Sequence, residues 1–418
     1  MLQFLIAGLL SVGGVQVEVK PLSGDLVKGE IIGLSNDTLL LRTAAGDQML
    51  KVSDLELAKP EVLPPAPIGK TTIRVNLVDG SKLLGSNFAV DQGRATIDID
   101  GASIPIDTRS IHSVLLKSHE THPGLIARWS EMKKTKGTGD AIVIRKEVKV
   151  PIEDDPDDGF KTELVLNSLE GVLRDISAEE VDFQYDGDLI PVKRTRVEGL
   201  IYRAVERVLR DPICRIIDVN GCEWFLKSMD LKDETSLEVA TTAGVRATLD
   251  VRRITAIDFT AGNTVYLSEV EPDRIDWKPF FDTGALSGSL AKLHRPRMNR
   301  SFSGEKLTVS KENGVASFEK GIAIHSQTRL EYLLPGKFNR FVATAGIDPA
   351  VRPQGNVRLV ITGDRKPLFE GIMTGEDPSP VELNLDLTGV ERLAILVDFG
   401  DGLDIADHLN LCNARITK

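Results

Sequence analysis

Two histidines and an aspartate near the end of the chain are suited to hold a polar ligand. His325 follows the apolar run that ends at Ile324, and Asp407 and His408 follow an acidic loop. If the strand ends converge, these imidazole and carboxylate groups form a cluster of hydrogen-bond donors and acceptors. The sequence leaves open an alternative, in which His325 is a buried structural residue that hydrogen-bonds across a sheet.

A second group of polar side chains recurs every three residues. Asp398, Asp401 and Asp404 lie in the loop before Asp407, and carboxylate oxygens suit a hard cation. The spacing matches no strict calcium-binding motif, so a loop without metal is the alternative interpretation. The sequence gives Asp398, Asp401 and Asp404 as candidate calcium ligands and calcium as the only cofactor to test.

Two further polar stretches are interpreted without a metal. The acidic segment Glu153–Gly159 lacks the alternating ligands of a calcium loop and is interpreted as solvated. His119 and His122 are spaced H-x-x-H but lie beside Pro123 in a linker. The basic stretch His294–Arg300 is interpreted as a solvated loop, with contact to an acidic polysaccharide as the alternative.

No catalytic residue is predicted. The chain contains no H-E-x-x-H, G-x-S-x-G, G-x-x-x-x-G-K or G-x-G-x-x-G motif. A glycosidase needs two carboxylates held on opposite sides of a scissile bond, and nothing in the spacing selects such a pair. The sequence therefore predicts that the protein is not an enzyme, with an unrecognised glycoside hydrolase as the third hypothesis.

The elements that must position the polar cluster are short strands. From residue 264 onward, apolar runs alternate with Pro-Gly, Gly-Asp and Thr-Gly turns and show no helical pattern. About 150 residues of this kind indicate a two-sheet sandwich of jelly-roll type. The runs are Leu330–Leu334, Phe341–Ala345, Val357–Ile361, Val381–Leu387 and Leu393–Val397.

The first two-thirds of the chain contain a repeat. Each copy has short strands with period-two alternation around a Gly-centred turn and an I-x-x-[IV] ending. Units of about 45 residues indicate small bent barrels similar to the Sm-like and SH3-like folds, with a propeller or solenoid as the alternative. The copies are Val15–Leu57, Thr72–Leu116, Cys214–Phe259 and a looser one at Glu163–Tyr202.

Two local predictions accompany the repeat. Gly24, Gly80 and Gly221 occupy one place in the pattern, where a tight turn needs a positive φ. Cys214 and Cys222 flank a turn and are predicted to be free, half-buried thiols, because a short hairpin would hold the sulfurs too far apart to bond.

The fold class predicted for the whole chain is all-β, with several small SH3/Sm-like barrels followed by a galactose-binding-like sandwich. Residues Met1–Val12 are apolar but too short to span a bilayer, so they fit a secretory signal; a buried first strand or helix is the alternative. The predicted bounds are 1–14 for the signal, 15–59, 71–118 and 211–262 for barrels, 119–205 for a helical linker with the looser copy, and 264–418 for the sandwich.

Composition excludes several classes of protein. The 418 residues carry 51 Lys and Arg against 62 Asp and Glu, a net charge of −11, with 3 cysteines. An acidic surface repels phosphate backbones, so no nucleic-acid partner is expected. Three cysteines cannot build a disulfide scaffold. The last 155 residues are nearly neutral, with 19 Lys and Arg against 21 Asp and Glu.

The C-terminal segment resembles the NPCBM domain, a carbohydrate-binding module with a galactose-binding-like β-sandwich. The resemblance lies in the order and spacing of short motifs across roughly 150 residues. They are Val265–Glu269, Lys320–Ser326, Tyr332, Leu334–Phe338, Arg340–Phe341, Ala345–Asp348, Gly355–Val357, Thr362–Asp364, Leu387–Val390 and Asp407–His408. Small β repeats followed by this module are similar to secreted proteins of planctomycete-like bacteria that carry no attached enzyme.

The resemblance implies a glycan ligand held by His325, Asp407, His408, Asp348 and Trp277. Sugar hydroxyls need convergent polar groups, and the sugar ring needs an aromatic platform. Trp277, Tyr266 and Tyr332 are the candidate platforms, and Tyr332 is predicted to lie in the core because it follows the strand alternation. Leu411 stands where the family usually has a Trp, which weakens the expectation of sugar binding. The resemblance also implies a structural calcium.

Two hypotheses therefore lead. The first is an exported, non-catalytic protein, located in the periplasm or outside the cell, that binds carbohydrate through its C-terminal module. The second is a cell-envelope scaffold that contacts envelope proteins and whose module no longer binds sugar. In both, the mature chain has no transmembrane segment.

Overall fold

A computed structural model describes most of the chain, and this part divides into two compact units at Gly262. The described residues are 14–22, 24–66, 72–117, 123–135, 137–151, 160–203, 208–281, 293–311, 314–335, 338–377 and 379–418. The signal predicted at 1–14 lies outside them except for its last residue. His119, His122 and the acidic segment 153–159 also lie outside them.

The first unit consists of short strands and one α-helix, α1 (Pro123–Lys134). Its strands are β1 (Gln16–Pro21), β2 (Val27–Leu34), β3 (Thr38–Thr43), β4 (Gly46–Lys51), β5 (Leu55–Pro60), β6 (Ile73–Leu77), β7 (Lys82–Gly85), β8 (Asn87–Asp91), β9 (Arg94–Ile99), β10 (Ala102–Asp107), β11 (Ile111–Leu115), β12 (Asp140–Pro151), β13 (Phe160–Ile176), β14 (Glu180–Tyr185), β15 (Asp188–Lys193), β16 (Val197–Ile201), β17 (Cys214–Asp218), β18 (Glu223–Leu231), β19 (Ser236–Thr241), β20 (Arg246–Asp250) and β21 (Ile254–Asp258).

One antiparallel pairing scheme occurs four times in this unit. In each copy the first strand pairs with both the second and the last strand, and a single 3₁₀ turn precedes the last strand. Copy 1 is β1–β5, copy 2 is β6–β11 with its second strand split into β7 and β8, copy 3 is β12–β16 and copy 4 is β17–β21. The assignment of these copies to the SH3/Sm-like fold stays a prediction.

A β-bulge marks the last strand of every copy. The register against the first strand shifts so that one extra residue stands on the last strand. Such a residue leaves the ladder and its side chain is re-aimed. The four bulge residues are Glu56, His112, Glu198 and Thr255.

The copies are joined, whereas the sequence analysis expected separate barrels. Strand β5 pairs with β21, β11 with β16, β7 with β18 and β8 with β13, so copies 1 and 4, 2 and 3, and 2 and 4 are neighbours. Their apolar side chains form one continuous core cluster. Pairing through edge strands removes unsatisfied edges that isolated barrels would leave to solvent.

The structure also revises where copy 3 begins. The looser repeat was expected from Glu163, but its first strand is β12, which starts at Asp140. The positive φ angles predicted for Gly24, Gly80 and Gly221 are confirmed, at 100°, 89° and 78°.

The cysteine prediction is confirmed in one respect and wrong in another. All three cysteines are free, but Cys214 and Cys222 are fully buried rather than half-buried. Burial raises the pKa of both thiols, so they stay protonated at neutral pH.

The helix α1 covers one face of copies 2 and 3. Leu125 and Trp129, one turn apart, pack with Leu115, Val143 and Leu166. The helical stretch predicted from this spacing is therefore confirmed. Gly199 is needed beneath the helix, because a Cβ there would lie 2.4 Å from the Trp129 ring.

The second unit is made of strands only, among its described elements longer than one turn. They are β22 (Thr264–Tyr266), β23 (Arg274–Trp277), β24 (Arg297–Met298), β25 (Leu307–Lys311), β26 (Gly314–Phe318), β27 (Gly321–His325), β28 (Thr328–Leu333), β29 (Arg340–Ile347), β30 (Asn356–Gly363), β31 (Lys366–Thr374), β32 (Val381–Asp386), β33 (Arg392–Phe399) and β34 (His408–Thr417).

These strands form a two-sheet sandwich, which confirms the all-β class. One sheet has the order β24-β27-β34-β29-β32, with β22 beside β34, and the other has the order β23-β28-β33-β30-β31. Alternate side chains of both sheets meet in a single apolar core. The hairpin β25-β26 packs Leu307 and Val309 on Ala323 and Cys412, on the outer side of the first sheet. In the part of the chain that the structure describes, no helix has both the length and the apolar character that a membrane span requires.

Candidate functional site

Adjacent strands of the first sheet bring the predicted histidines together. His325 ends β27 and His408 begins β34, and the antiparallel register places them directly opposite each other. Their ring centroids lie 5.5 Å apart. Asp407 precedes His408 and is 1 % exposed, so the predicted polar cluster exists and its carboxylate lies inside the protein.

Ser326 connects the members of this cluster. Its hydroxyl donates to Asp407 Oδ2 at 2.6 Å, and its carbonyl accepts from Trp277 Nε1 at 3.2 Å. The same carbonyl lies 2.5 Å from His325 Nδ1, which must donate because a carbonyl oxygen only accepts. His325 is 3 % exposed, so its ring, like the Asp407 carboxylate, lies almost wholly inside the protein. The sequence analysis quoted Ser326 within a motif but gave it no role.

The rings form a continuous row along this end of the sandwich. Trp277 and His294 have centroids 5.2 Å apart, and His294 stacks on His325 at 3.9 Å and 15°. At the other end of the row, Phe302 lies 4.7 Å from His408. His294 was interpreted as part of a solvated loop, and that prediction is wrong for this residue, because its ring is half-buried between two others.

Buried polar atoms near the row have no hydrogen-bond partner within the described residues. They include His294 Nδ1 and the side-chain oxygen of Asn356. The backbone N–H of Asn356 donates to Asp407 Oδ1 at 3.0 Å, so the residue lies beside the cluster. Burying an unpaired polar atom costs free energy, and a ligand hydroxyl would remove that cost.

Asp348 lies next to the cluster but its carboxylate has a structural partner. It accepts the N–H of Ala350 at 3.0 Å and so caps a short turn, and its own N–H donates to the His408 carbonyl. The carboxylate is close enough to raise the pKa of His408, against the larger lowering caused by burial. Asp348 therefore acts on His408 in two ways: its backbone N–H holds the His408 carbonyl, and its carboxylate raises the pKa of the His408 ring.

The structure does not gather the three predicted calcium ligands. Asp398 accepts from Gln327 Nε2 at 2.8 Å and pairs with Arg358, whereas Asp401 lies in an exposed turn. Asp404 lies 3.5 Å from the N–H of Phe280. Among the described residues, no three acidic, histidine or cysteine side chains lie close enough to hold a metal. Calcium binding to this loop stays a prediction.

Of the three candidate platforms, Trp277 alone presents part of its ring to solvent. Tyr332 is 1 % exposed, in the core as predicted, and Tyr266 is also buried. Leu411, in the place of the family's Trp, is fully buried in the sandwich core. A side chain at that position packs against the opposite sheet, so its identity does not decide whether the ring row is present.

The sequence analysis did not name two further aromatic side chains, Phe280 and Phe281, as candidate platforms. Phe281 is 63 % exposed, and Phe280 stacks edge-on against both Phe281 and Phe399. They follow Trp277 by three and four residues, so an exposed aromatic cluster could have been noticed from the spacing alone.

We expect the second unit to lose stability as the pH falls from about 6.5 to 4. Burial, more than the nearby His325 and His408, lowers the pKa of His294 to about 4, while Asp404 acts in the opposite direction. The folded protein keeps this ring neutral, whereas the unfolded chain takes up a proton below about 6.5, so acid favours unfolding. The raised pKa of Asp407, caused mainly by burial, acts in the opposite direction.

Calorimetry of the full chain at pH 7, 5.5 and 4.5 would measure this loss, with His294→Asn as the comparison. The variant should show a shallower fall in the melting temperature of the second unit over that range. Equal slopes for the two proteins would contradict the assignment of the pH dependence to His294.

Comparisons with known proteins bear on the same segment. Residues 279–417 match the family model described as the NPCBM/NEW2 domain, which confirms the resemblance. No curated protein matches the chain. Among solved structures, a CBM51 module of Clostridium perfringens GH95, solved with methyl-galactose, is 24 % identical with a TM-score of 0.32, over 37 % of this chain and 99 % of that one.

Two other solved structures are similar at lower identity. The CBM51-2 and INT domains of Clostridium perfringens ZmpB, solved with GlcNAc, are 19 % identical over 49 % of this chain and 43 % of that one, with a TM-score of 0.32. The tandem CBM51 modules of a family 98 glycoside hydrolase from Streptococcus pneumoniae are 11 % identical over 87 % of this chain and 97 % of that one, also at 0.32.

Proposed function

We propose that this protein binds carbohydrate through its NPCBM domain, at the ring row that runs from Trp277 to Phe302, and that it performs no chemistry on the sugar. The observation that supports the proposal most is that the ring row, the buried Asp407 and unpaired polar atoms all meet at one end of the sandwich that the family model matches. This combination of aromatic faces and convergent polar groups suits a sugar.

Each group in the row has a distinct role in the proposal. The partly exposed Trp277 ring packs against the apolar face of the sugar, and its N–H is already held by the Ser326 carbonyl, which fixes the ring plane. The half-buried His408 imidazole offers a hydrogen bond to a sugar hydroxyl, and the buried His325 ring lies beside it and helps to position it. Asp407 does not contact the ligand and acts as a positioning residue through Ser326.

Titration calorimetry on the full chain tests the site. The probes are methyl-galactose and GlcNAc, the sugars present in two of the similar solved structures. We expect Trp277→Ala to weaken binding by about fivefold or more, because an aromatic platform contributes about 1 kcal/mol or more. Tyr185→Ala is the matched control, since Tyr185 is a partly exposed aromatic residue of the first unit and its loss should leave binding unchanged.

Two results would count against the proposal. Equal affinity of the wild type and Trp277→Ala would place binding elsewhere. The absence of detectable affinity for every sugar on a glycan array, with and without added calcium, would reject carbohydrate binding altogether.

The proposal extends to location and to the first unit. The apolar start of the sequence supports export to the periplasm or the cell exterior, and the four joined copies would then act as a spacer or as a contact for envelope proteins. The envelope scaffold of the second hypothesis predicts that the full chain still recovers specific envelope proteins when Trp277→Ala has removed sugar binding.

A further inference from the structure

A cavity of about 580 Å³ lies in the first unit beside the C-terminal end of α1. Its lining includes His112, Lys133, Lys134, Tyr202 and Arg203. None of these residues belongs to the sandwich. Nothing in the carbohydrate site explains why such a basic cavity exists at the contact of copies 2 and 3.

The two last strands that meet here are related by an approximate twofold repeat. Strands β11 and β16 pair antiparallel, and each places its bulge residue, His112 or Glu198, at an equivalent position. The N–H of Tyr202 donates to the His112 carbonyl at 3.0 Å, and the N–H of Leu116 donates to the Glu198 carbonyl at 2.9 Å. The residues that follow, Arg203 and Lys117, are therefore equivalents.

On the copy 3 side, the protein supplies a carboxylate for its cations. Glu198 is fully buried and accepts two hydrogen bonds from the Arg145 guanidinium. The Lys117 ammonium lies 3.8 Å from the same carboxylate. Both cations at this position therefore have a carboxylate of the chain within ion-pair distance.

On the copy 2 side, a histidine replaces that carboxylate. Lys133 lies near His112, and Arg74 lies near Lys133. No acidic side chain of the described part of the chain forms an ion pair with Lys133 or Arg203. Burial and the repulsion from Arg74 lower the pKa of Lys133, in that order of size. Of the acids nearby, Glu131 lines the cavity and pairs with Arg128, which also lines it. Glu170 accepts from the Thr138 hydroxyl, and Asp140 accepts the backbone N–H groups of residues 173 and 203.

The cavity also contains a buried polar atom without a partner. Tyr202 is 8 % exposed, and its hydroxyl makes no hydrogen bond within the described residues. Two carbonyls in the last turn of α1, which would repel an anion, already accept hydrogen bonds. Thr135 donates to the carbonyls of residues 131 and 132.

We propose that this cavity binds a small organic acid whose carboxylate takes the place that Glu198 fills on the other side of the repeat. Lys133 and Arg203 neutralise the carboxylate, and the Tyr202 hydroxyl donates to it. The remaining volume accepts a body of about the size of a monosaccharide, since clefts of 300 Å³ or more hold small ligands.

Glucuronate and glucose form a suitable pair of probes, because they are of similar size and differ in the carboxylate. Titration of the full chain at fixed ionic strength should show binding of glucuronate at least about tenfold tighter than that of glucose. Lys133→Gln and Tyr202→Phe should each weaken glucuronate binding by about tenfold or more. The matched control Lys146→Gln, at an exposed lysine of β12, should not.

The variant Tyr202→Phe tests whether the Tyr202 hydroxyl binds the ligand or stabilises the fold. Because its hydroxyl has no partner in the described chain, its removal should leave the melting temperature of the ligand-free protein unchanged or raise it. Trp277→Ala should leave glucuronate binding intact, so that this site and the carbohydrate site can fail independently. Equal binding of glucose and glucuronate, equal binding of inorganic phosphate, or unchanged affinity in both cavity variants would overturn the assignment.

Discussion

Replacing Asp407 with alanine should abolish sugar binding, with a loss of affinity of more than about a hundredfold. The carboxylate is 1 % exposed and accepts the Ser326 hydroxyl and the Asn356 N–H. Without it, two buried donors lose their acceptor, and each unpaired group costs about 1–3 kcal/mol. The backbone at Ser326, whose carbonyl contacts both Trp277 and His325, then loses the side-chain hydrogen bond that holds it to Asp407. We expect the free energy of unfolding of the second unit to fall by about 2–4 kcal/mol.

Asp407→Asn is the control that separates charge from shape. Its side-chain oxygen can still accept from Asn356, and its amide can donate to the Ser326 hydroxyl, so we expect most of the stability and part of the affinity to remain. Titration calorimetry and urea unfolding of the full chain measure the two effects. If Asp407→Ala binds sugar with wild-type affinity, Asp407 does not position the site, and this prediction is wrong.

The part of this site that lies at strand ends could be predicted from the sequence, because strand register places it. His325 and Asp407–His408 stood at the ends of apolar runs, and adjacent antiparallel strands bring such ends together. His294 could not be placed in this way, because its position depends on the loop that leads into β24 and not on strand alternation. The three loop aspartates had a regular spacing, but a loop has no fixed periodicity that converts spacing into proximity.

The repeat in the first unit shows the same limit: its strands could be predicted from the sequence, but the way its copies are joined could not. Period-two alternation and the glycine turns identified most strands of the four copies and their all-β class. The joining of the copies was not predictable, because it depends on backbone pairing at β5, β11, β16 and β21, and main-chain groups carry no sequence signal. The bulge residues are equally hard to predict, because no single residue type marks the position: Glu56 and Glu198 are glutamates, whereas His112 and Thr255 are not.

Replacing Glu198 with alanine should destabilise the first unit more than any exposed ion-pair substitution, by about 3–5 kcal/mol. The carboxylate is fully buried at the bulge of β16, where it pairs with Arg145 and lies near Lys117. Its removal leaves the Arg145 guanidinium partly buried without a counter-charge, and this uncompensated charge accounts for most of the expected loss. Urea unfolding of the full chain measures the change in the transition of the first unit.

Two further variants decide whether the buried charge or the lost packing is responsible. Glu238→Ala removes an exposed partner of Lys232 and should leave the unfolding midpoint unchanged. The double variant Arg145→Met with Glu198→Leu removes both charges and fills the space with apolar atoms, so it should recover much of the stability that Glu198→Ala loses. If the double variant is as unstable as Glu198→Ala, the ion pair itself stabilises the joined strands, and the charge-burial explanation is wrong.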